Sequence, residues 1–517
     1  MTAGAGPVVA TACGRVRGVA RGDGLLAWRG IPYARPPSGP LRFRAPQPPP
    51  GWTGIREAAQ TGPVAWQGEQ VNPLTGEREE LDCSEDCLSL NITAPAAGAP
   101  DQAGYPVLVW VHGGGYVQGS GPSDLVGDGA ALARRGLVVV TFNYRLGSLG
   151  FLHLADVAGL EYADAGQAGF LDQVAALRWV QANIAAFGGD RARVTVYGVS
   201  AGAKSVANLL ASPLAAGLIS RAISASGGAG HVASPAQGTA VRRRLLRELR
   251  LADDAAGVGL LAQVSPAELA AAQDSIAKGA AGTWVWRPVL GGPGLPVLPI
   301  DAITSGAAAG IPLLAGHNGN EGATYQALDP TAGQQAARVL AELFGAAAAQ
   351  AMLAAYAAAR PELDEAGVGV AVLGAERYGI PTHRLALAQA RHAPVWRYRF
   401  DGCPPGVPAL VAAGHGLDMI AVWGAGAFAG LADSGDPQAR LCRAMAAQWA
   451  RFARGESLAA PDAGGVVPAW PQFTAAAEVT MILGAQPRAE SRPRAAETEI
   501  WQGRTWPSGT WWHIDGL

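Results

Sequence analysis

A serine between two glycines, Gly198-Val199-Ser200-Ala201-Gly202, follows the β-branched and aromatic residues Val194, Val196 and Tyr197 and precedes a helix-compatible run through Leu210. That context suits a sharp strand-to-helix turn that lifts a hydroxyl above a sheet, where bulky flanking side chains would collide with strand or helix. Gly198 and Gly202 remove them. A serine hydroxyl attacks poorly unless a neutral imidazole takes its proton and an acid fixes that imidazole's tautomer. Of the 8 histidines, His415 is the best base, because it lies late in the chain in a glycine-flanked loop after a strand. That placement fits the order nucleophile, acid, base. Glu321, in Gly316-His-Asn-Gly-Asn-Glu-Gly322, is the preferred acid for the same reason. His317 competes as base, although one short loop would then supply both base and acid. Asp418 competes as acid, and otherwise caps or braces the segment after His415.

A second constellation lies upstream, where Pro106-Val-Leu-Val-Trp-Val111 runs directly into His112-Gly-Gly-Gly-Tyr116. Glycines leave backbone N–H groups bare and able to converge on an anion, which is the chemistry of an oxyanion hole in acyl transfer. His112 is expected to brace this loop.

These groups need a scaffold, and the hydrophobic pattern supplies one. Residues 106–111 form a nearly continuous apolar run that suits a strand buried on both faces, and 137–142, 194–198, 219–225, 311–315 and 395–400 read as further strands of the same sheet. Between them, 168–187 carries Leu171, Val174, Leu177, Val180 and Ile184 at helical spacing and stops at Gly188-Gly189. Strand and helix therefore alternate, the signature of a large, mostly parallel central sheet covered by helices. Ahead of it, 14–28 predicts one or two edge strands with Val16 and Val19 inward. Residues 30–43 read as an ordered Pro/Gly loop pinned by Ile31, Tyr33, Leu41 and Phe43. The alanine-rich stretches 240–280 and 336–360 predict peripheral helical insertions, and a helix is expected over 437–452. The acidic cluster Glu77, Glu79, Glu80, Asp82, Glu85 and Asp86 reads as a solvated face. The segment after Ala485 is polar and then tryptophan-rich, with Trp501, Trp506, Trp511 and Trp512 packing onto the body or a partner surface.

The chain has 517 residues, 49% of them hydrophobic, with 39 basic and 41 acidic side chains and a formal net charge of -2. A large core is possible, and no basic face for nucleic acid is implied. Five cysteines, at 13, 83, 87, 403 and 442, are too few and scattered for a disulfide framework. No apolar stretch reaches the length of a membrane span, and no standard signal peptide is evident. A cytoplasmic location follows as an expectation, with secretion the alternative if a leader was removed.

Taken together, the motifs resemble those of the type-B carboxylesterases, the para-nitrobenzyl esterase and cholinesterase family, over nearly the whole chain. Gly30-Ile-Pro-Tyr-Ala through Phe43 resembles its amino-terminal signature, and Ser84-Glu-Asp-Cys-Leu-Ser-Leu-Asn91 is among its most specific motifs. Asn143-Tyr-Arg-Leu-Gly, Leu171-Asp-Gln173, Phe187-Gly-Gly-Asp190 and Trp470-Pro471 follow in the expected order. The resemblance implies an α/β-hydrolase fold as one large domain over 1–517, including a peripheral helical lobe within about 240–390 and an atypical tail over about 485–517. It implies Ser200 as nucleophile, Glu321 as acid and His415 as base. The N–H groups of Gly114, Gly115 and Ala201 would form the oxyanion hole, with Gly113 shaping the turn.

The implied reaction is ester hydrolysis through an acyl-enzyme, on a small-molecule ester and with no metal or organic cofactor, by a monomer or homodimer. An acyltransferase, lactone-forming or carbamate-cleaving enzyme would use the same residues, and a non-catalytic binding relative is the remaining alternative. Two departures from the family bear on substrate. Val199 replaces a common glutamate just before the nucleophile, and residues 68–83 lack the tryptophan expected to bind cationic substrates. Uncharged or aromatic esters of small to medium size are favoured over choline esters, with Val199 as a specificity candidate. Cys87 matches a cysteine bridged in many relatives, but 62–67 holds no partner, so that bridge is expected to be absent, with a short Cys83 pairing as the alternative.

Overall fold

Alternate residues of the strand Tyr105–Val111 belong to different apolar clusters: Val107, Val109 and Val111 to one, Leu108 and Trp110 to the other. Because successive side chains point to opposite faces of a strand, a run that is apolar at every position must be covered on both sides. The computed structural model, which describes residues 4–71, 78–99, 102–123, 126–277, 285–424 and 435–506, shows that arrangement. A 13-stranded sheet carries helices on both faces, which is the α/β-hydrolase fold.

The parallel centre runs in the order Val138–Phe142, Tyr105–Val111, Gly189–Val199, Arg221–Ala225, Leu313–Asn318, Val395–Phe400, Val479–Leu483. Antiparallel strands complete both edges. Gly4–Thr11, Gly14–Ala20, Leu25–Pro32 and Ser89–Pro95 lie on one side, and Arg488–Ser491 on the other. Every strand predicted for the centre is present. The strands Gly4–Thr11 and Val479–Leu483 were not predicted, the first because Gly and Ala give it no apolar alternation. Within Gly14–Ala20, Val16 and Gly18 are buried while Val19 is only half-buried. Val16 and Val19 stand an odd number of residues apart, so a regular strand cannot turn both inward.

The helices start where their caps dictate. Ser234 and Gln237 form a reciprocal capping box before Pro235–Glu248, and Asp436 accepts from the N–H groups of Gln438 and Ala439 at the head of Pro437–Arg454. Gly188, at φ 81°, ends the turn after Ala168–Asn183. The helices Pro235–Glu248, Ala255–Leu261 and Pro266–Ala277 contribute Leu245, Leu261 and Leu269 to the main cluster beside the sheet. By contrast, Ala336–Phe344, Ala346–Ala359 and Glu365–Gly374 share a separate cluster with Trp501. The chain after Ala485 is folded as far as residue 506. Trp501 is 1% exposed and packs edge-on to Phe344 and Tyr356, so this stretch closes over that second cluster. Glu77, Trp511, Trp512 and residues 278–280 lie outside the described residues.

Several motifs behind the resemblance have structural explanations. Arg145 donates from Nε and Nη2 to both carboxylate oxygens of Asp172, at 2.8 and 2.7 Å, with both side chains at most 3% exposed. This pair ties Asn143-Tyr-Arg to Leu171-Asp-Gln. Arg42 clamps Glu85 in the same two-pronged way, joining the amino-terminal loop to the Ser84 motif. All five cysteines are free thiols. Hydrogen bonds from Val64 N–H to Asp82 and from Ser84 N–H to Val64 hold together the two segments around Cys83.

Candidate active site

Ser200 sits where the strand Gly189–Val199 turns into the helix Ala201–Ala211, at φ 58° and ψ −123°. A non-glycine residue in that region is strained, and the strain is held by close packing on both sides. A Cβ on Gly198 would fall onto the Gly202 carbonyl, and one on Gly202 would fall onto the Val111 carbonyl oxygen. The hydroxyl is thereby raised at the carboxyl end of the parallel strands.

His415 and Glu321 reach it from two other loops. Ser200 Oγ lies 2.8 Å from His415 Nε2, and His415 Nδ1 lies 2.6 Å from Glu321 Oε2. A carboxylate only accepts, so Nδ1 carries the hydrogen and Nε2 is left to accept from the serine. Glu321 opens the helix Gly322–Leu328 and is 3% exposed. Its other oxygen accepts from the Asn318 N–H at 2.7 Å and from Ser226 Oγ at 2.6 Å. The two loops are linked by the Asn320 N–H donating to the Ala413 carbonyl.

The rival residues fall elsewhere. Asp418 is fully buried and accepts from Tyr398 Oη at 2.6 Å, from Asn318 Nδ2 at 3.0 Å and from the Met419 N–H. Burial and the nearby Glu321 charge raise its carboxyl above the ordinary range. It braces the start of Leu417–Trp423 and makes no bond to His415. His317 faces a cavity on the far side of Glu321. Burial first, then Arg397, Arg399 and Arg494, push its imidazole well below the ordinary value.

The glycine loop leans against the elbow. Gly114 and Gly115 have φ of 100° and 63°, and the N–H groups of Gly114, Gly115 and Ala201 have no acceptor among the described residues. Gly113 differs from its expected part in the turn, since its φ is not positive. Its lack of a side chain serves close approach: a Cβ there would stand 2.9 Å from the Val199 carbonyl oxygen and 3.3 Å from Ser200 Cβ. His112 Nδ1 donates to the Gly113 carbonyl at 2.9 Å, and its ring stacks on Tyr144 at 4.2 Å. Burial lowers its pKa to about 4, so it braces the loop as a neutral group. Val199 is 5% exposed and packs in the cluster with Tyr197, Ile223 and Leu417. As a specificity candidate it proves to be core on the sheet face opposite the helix Ala201–Ala211, because its strand position alternates with Gly198, where a Cβ would meet Gly202.

Some supporting residues escaped the sequence reading. Gln67 bridges the Ala65 and Gly119 carbonyls and accepts from the Gly119 N–H, fixing the far end of the glycine loop. Tyr378 stacks on His415 at 4.2 Å from a π-helical turn, Ala375–Gly379, and shares a hydroxyl contact with Tyr325. Beneath them, Lys204 is fully buried and donates to the Gly227 and Arg377 carbonyls at 3.1 and 2.9 Å. Only Lys204 left a signal in the sequence, as a charge four residues after Ser200 in an otherwise buried helix.

A sheet of this topology, with a strained serine at the elbow hydrogen-bonded to an imidazole, defines a serine hydrolase of the α/β-hydrolase class. The model of the Carboxylesterase family matches residues 5–501, and the chain belongs to that family, in its type-B branch. It is 35% identical over 503 residues to the para-nitrobenzyl esterase of Bacillus subtilis, covering 95% of this chain and 98% of that one. It is 36% identical over 496 residues to the fumonisin B1 esterase of Sphingopyxis macrogoltabida, covering 92% and 86%. The solved carboxylesterase of Geobacillus stearothermophilus superposes with a TM-score of 0.83 at 35% identity, over 96% of this chain and all of that one. The protein is a carboxylesterase enzyme, with serine-hydrolase activity on ester substrates.

Proposed function

We propose that the protein hydrolyses small to medium uncharged or aromatic esters by two-step acyl transfer. Ser200 attacks the ester carbonyl while His415 takes its proton, and Glu321 holds the imidazole and balances its charge. The developing oxyanion is met by the N–H groups of Gly114, Gly115 and Ala201, each worth about 3 to 4 kcal/mol of barrier. His415 returns the proton to the leaving alcohol, and water then releases the acid by the same route. The observation that carries this reading is the continuous relay from Ser200 Oγ through His415 to Glu321, at 2.8 and 2.6 Å.

Support for uncharged and aromatic substrates comes from the similarity to the para-nitrobenzyl esterase, named for an uncharged aromatic ester, which matches 95% of this chain at 35% identity. The test is fluorophosphonate labelling of wild type and Ser200→Ala, followed by a panel of neutral, aromatic and choline esters. Stoichiometric labelling of wild type alone, with turnover of neutral esters, is the expected result. Labelling that persists in Ser200→Ala would remove the nucleophile from this scheme. Product analysis with a competing alcohol separates hydrolysis from transfer.

A further inference from the structure

A cavity of about 550 Å³ lies on the side of Glu321 away from Ser200, between the helix Glu365–Gly374, the sheet edge and the chain around Arg494. One part of its wall is apolar, formed by Ala323, Leu363, Val370 and Ile380, with Leu410 exposed beside it. Another part is cationic and includes Arg397, Arg399 and Arg494 beside His317.

The charges there are not equally matched. Arg399 is held by both oxygens of Asp401, and Glu497 by Arg360. Glu321 is engaged by His415, Ser226 and Asn318, and Asp364 caps the Gly367 N–H. Arg397 is different. It is 7% exposed, its Nε has no partner, and no carboxylate lies within ion-pair distance among the described residues. Its one side-chain hydrogen bond runs from Nη1 to His383 Nδ1 at 3.0 Å. Burial lowers the Arg397 pKa to about 10, which leaves it charged at neutral pH. His317 Nδ1, also buried, has no partner either. Glu478, which lies 3.8 Å from His383, offsets part of the cost of burying Arg397 from beyond ion-pair distance. A buried guanidinium with no anion in direct contact is still costly, and a planar two-oxygen acceptor is the group its donor fork fits.

We propose that this cavity is a second binding site, for a carboxylate with an apolar body, whose two oxygens are received at Arg397 and whose body lies along Leu363, Val370 and Ile380. The acid half released from an ester belongs to this chemical class. Because the cavity is walled by Glu321 and not by Ser200, occupancy does not require a free nucleophile.

The experiment uses full-length protein whose Ser200 has been blocked by a fluorophosphonate, with the adduct checked by intact mass. Hexanoate and its uncharged isostere hexanamide are titrated by calorimetry into wild type and Arg397→Met. The expected result is saturable hexanoate binding to the blocked enzyme, weakened at least about tenfold in hexanamide and in Arg397→Met. Absence of hexanoate binding up to roughly 10 mM overturns the proposal, as does equal binding of hexanamide. Binding unchanged in a folded Arg397→Met overturns it too. If that variant does not fold, Leu363→Glu replaces it with the same criteria, because it sets a like charge on the half-buried apolar wall that receives the body of the ligand. If no adduct forms, the reading of Ser200 fails separately, and the unblocked protein is titrated in the same way.

Discussion

Replacing Lys204 with methionine isolates a buried ammonium lodged one helical turn beyond Ser200. Its neighbours are Glu376, Arg377, Glu321 and Arg287, and its ammonium lies 5.2 Å from the centre of the Tyr378 ring. Burial lowers its pKa from an ordinary 10.5 to about 7. Below pH 7 the folded and unfolded chains both hold the proton, and the full cost of burying the charge is present. Between pH 7 and 10.5 only the unfolded chain holds it, so stability rises with pH by about 1.4 kcal/mol per unit from this group. Above 10.5 the contribution is nil. The whole span corresponds to about 5 kcal/mol. Lys204→Met lacks this dependence and leaves the Gly227 and Arg377 carbonyls without their donor, an offset of about 1 to 3 kcal/mol each that does not vary with pH. Urea titrations of both proteins at pH 7.5, 8.5 and 9.5 measure the difference. The stability of the variant relative to wild type is expected to fall by about 3 kcal/mol over that range. Parallel curves would refute the reasoning, since they would mean that Lys204 keeps its proton in the fold throughout.

Ser200→Ala and His415→Ala are each expected to lower kcat by about 10³-fold or more with the urea midpoint little changed, because each disables the same relay; either variant keeping a tenth of turnover on a good ester would end its role. Gly114→Ala forces a Cβ onto the Gln118 carbonyl at φ 100°, and the displaced N–H is expected to reduce kcat by about 10²-fold or more with KM less affected. Asp172→Ala strands the buried Arg145 and is expected to destabilise by about 3 to 5 kcal/mol, read from the urea midpoint; a loss under about 1 kcal/mol would mean the pair is not buried in solution. Val199→Glu puts a carboxylate into an apolar cluster, so thermal stability should drop while the ratio of kcat/KM for a choline ester to its neutral isostere stays near wild type. A narrowed ratio in a stable variant would restore Val199 as a specificity residue.

Most of the parallel strands, the elbow, the glycine loop and the triad candidates were legible in the amino-acid chain because each rests on local rules. A strand buried on both faces must be apolar at every position, as in Val107 to Val111. A strained turn tolerates only small neighbours, as at Gly198 and Gly202. What lay beyond reach depends on residues distant in sequence. Gln67 and Gly119, Ser226 and Glu321, and Tyr378 and His415 meet only after the sheet has ordered its strands. No periodicity marks such pairs, since a hydrogen bond or a ring contact across the fold leaves no spacing in the chain. The same holds for side-chain direction. Val199 and Gly113 were placed in the right neighbourhood by sequence, but whether each faces substrate, core or the elbow is set by strand pleat and backbone dihedral. The cationic cavity beside Glu321 is wholly a product of tertiary structure, because Arg397, Arg399 and Arg494 come from a sheet strand and a terminal loop nearly a hundred residues apart. Local chemistry decides which residues can react, and long-range packing decides what surrounds them.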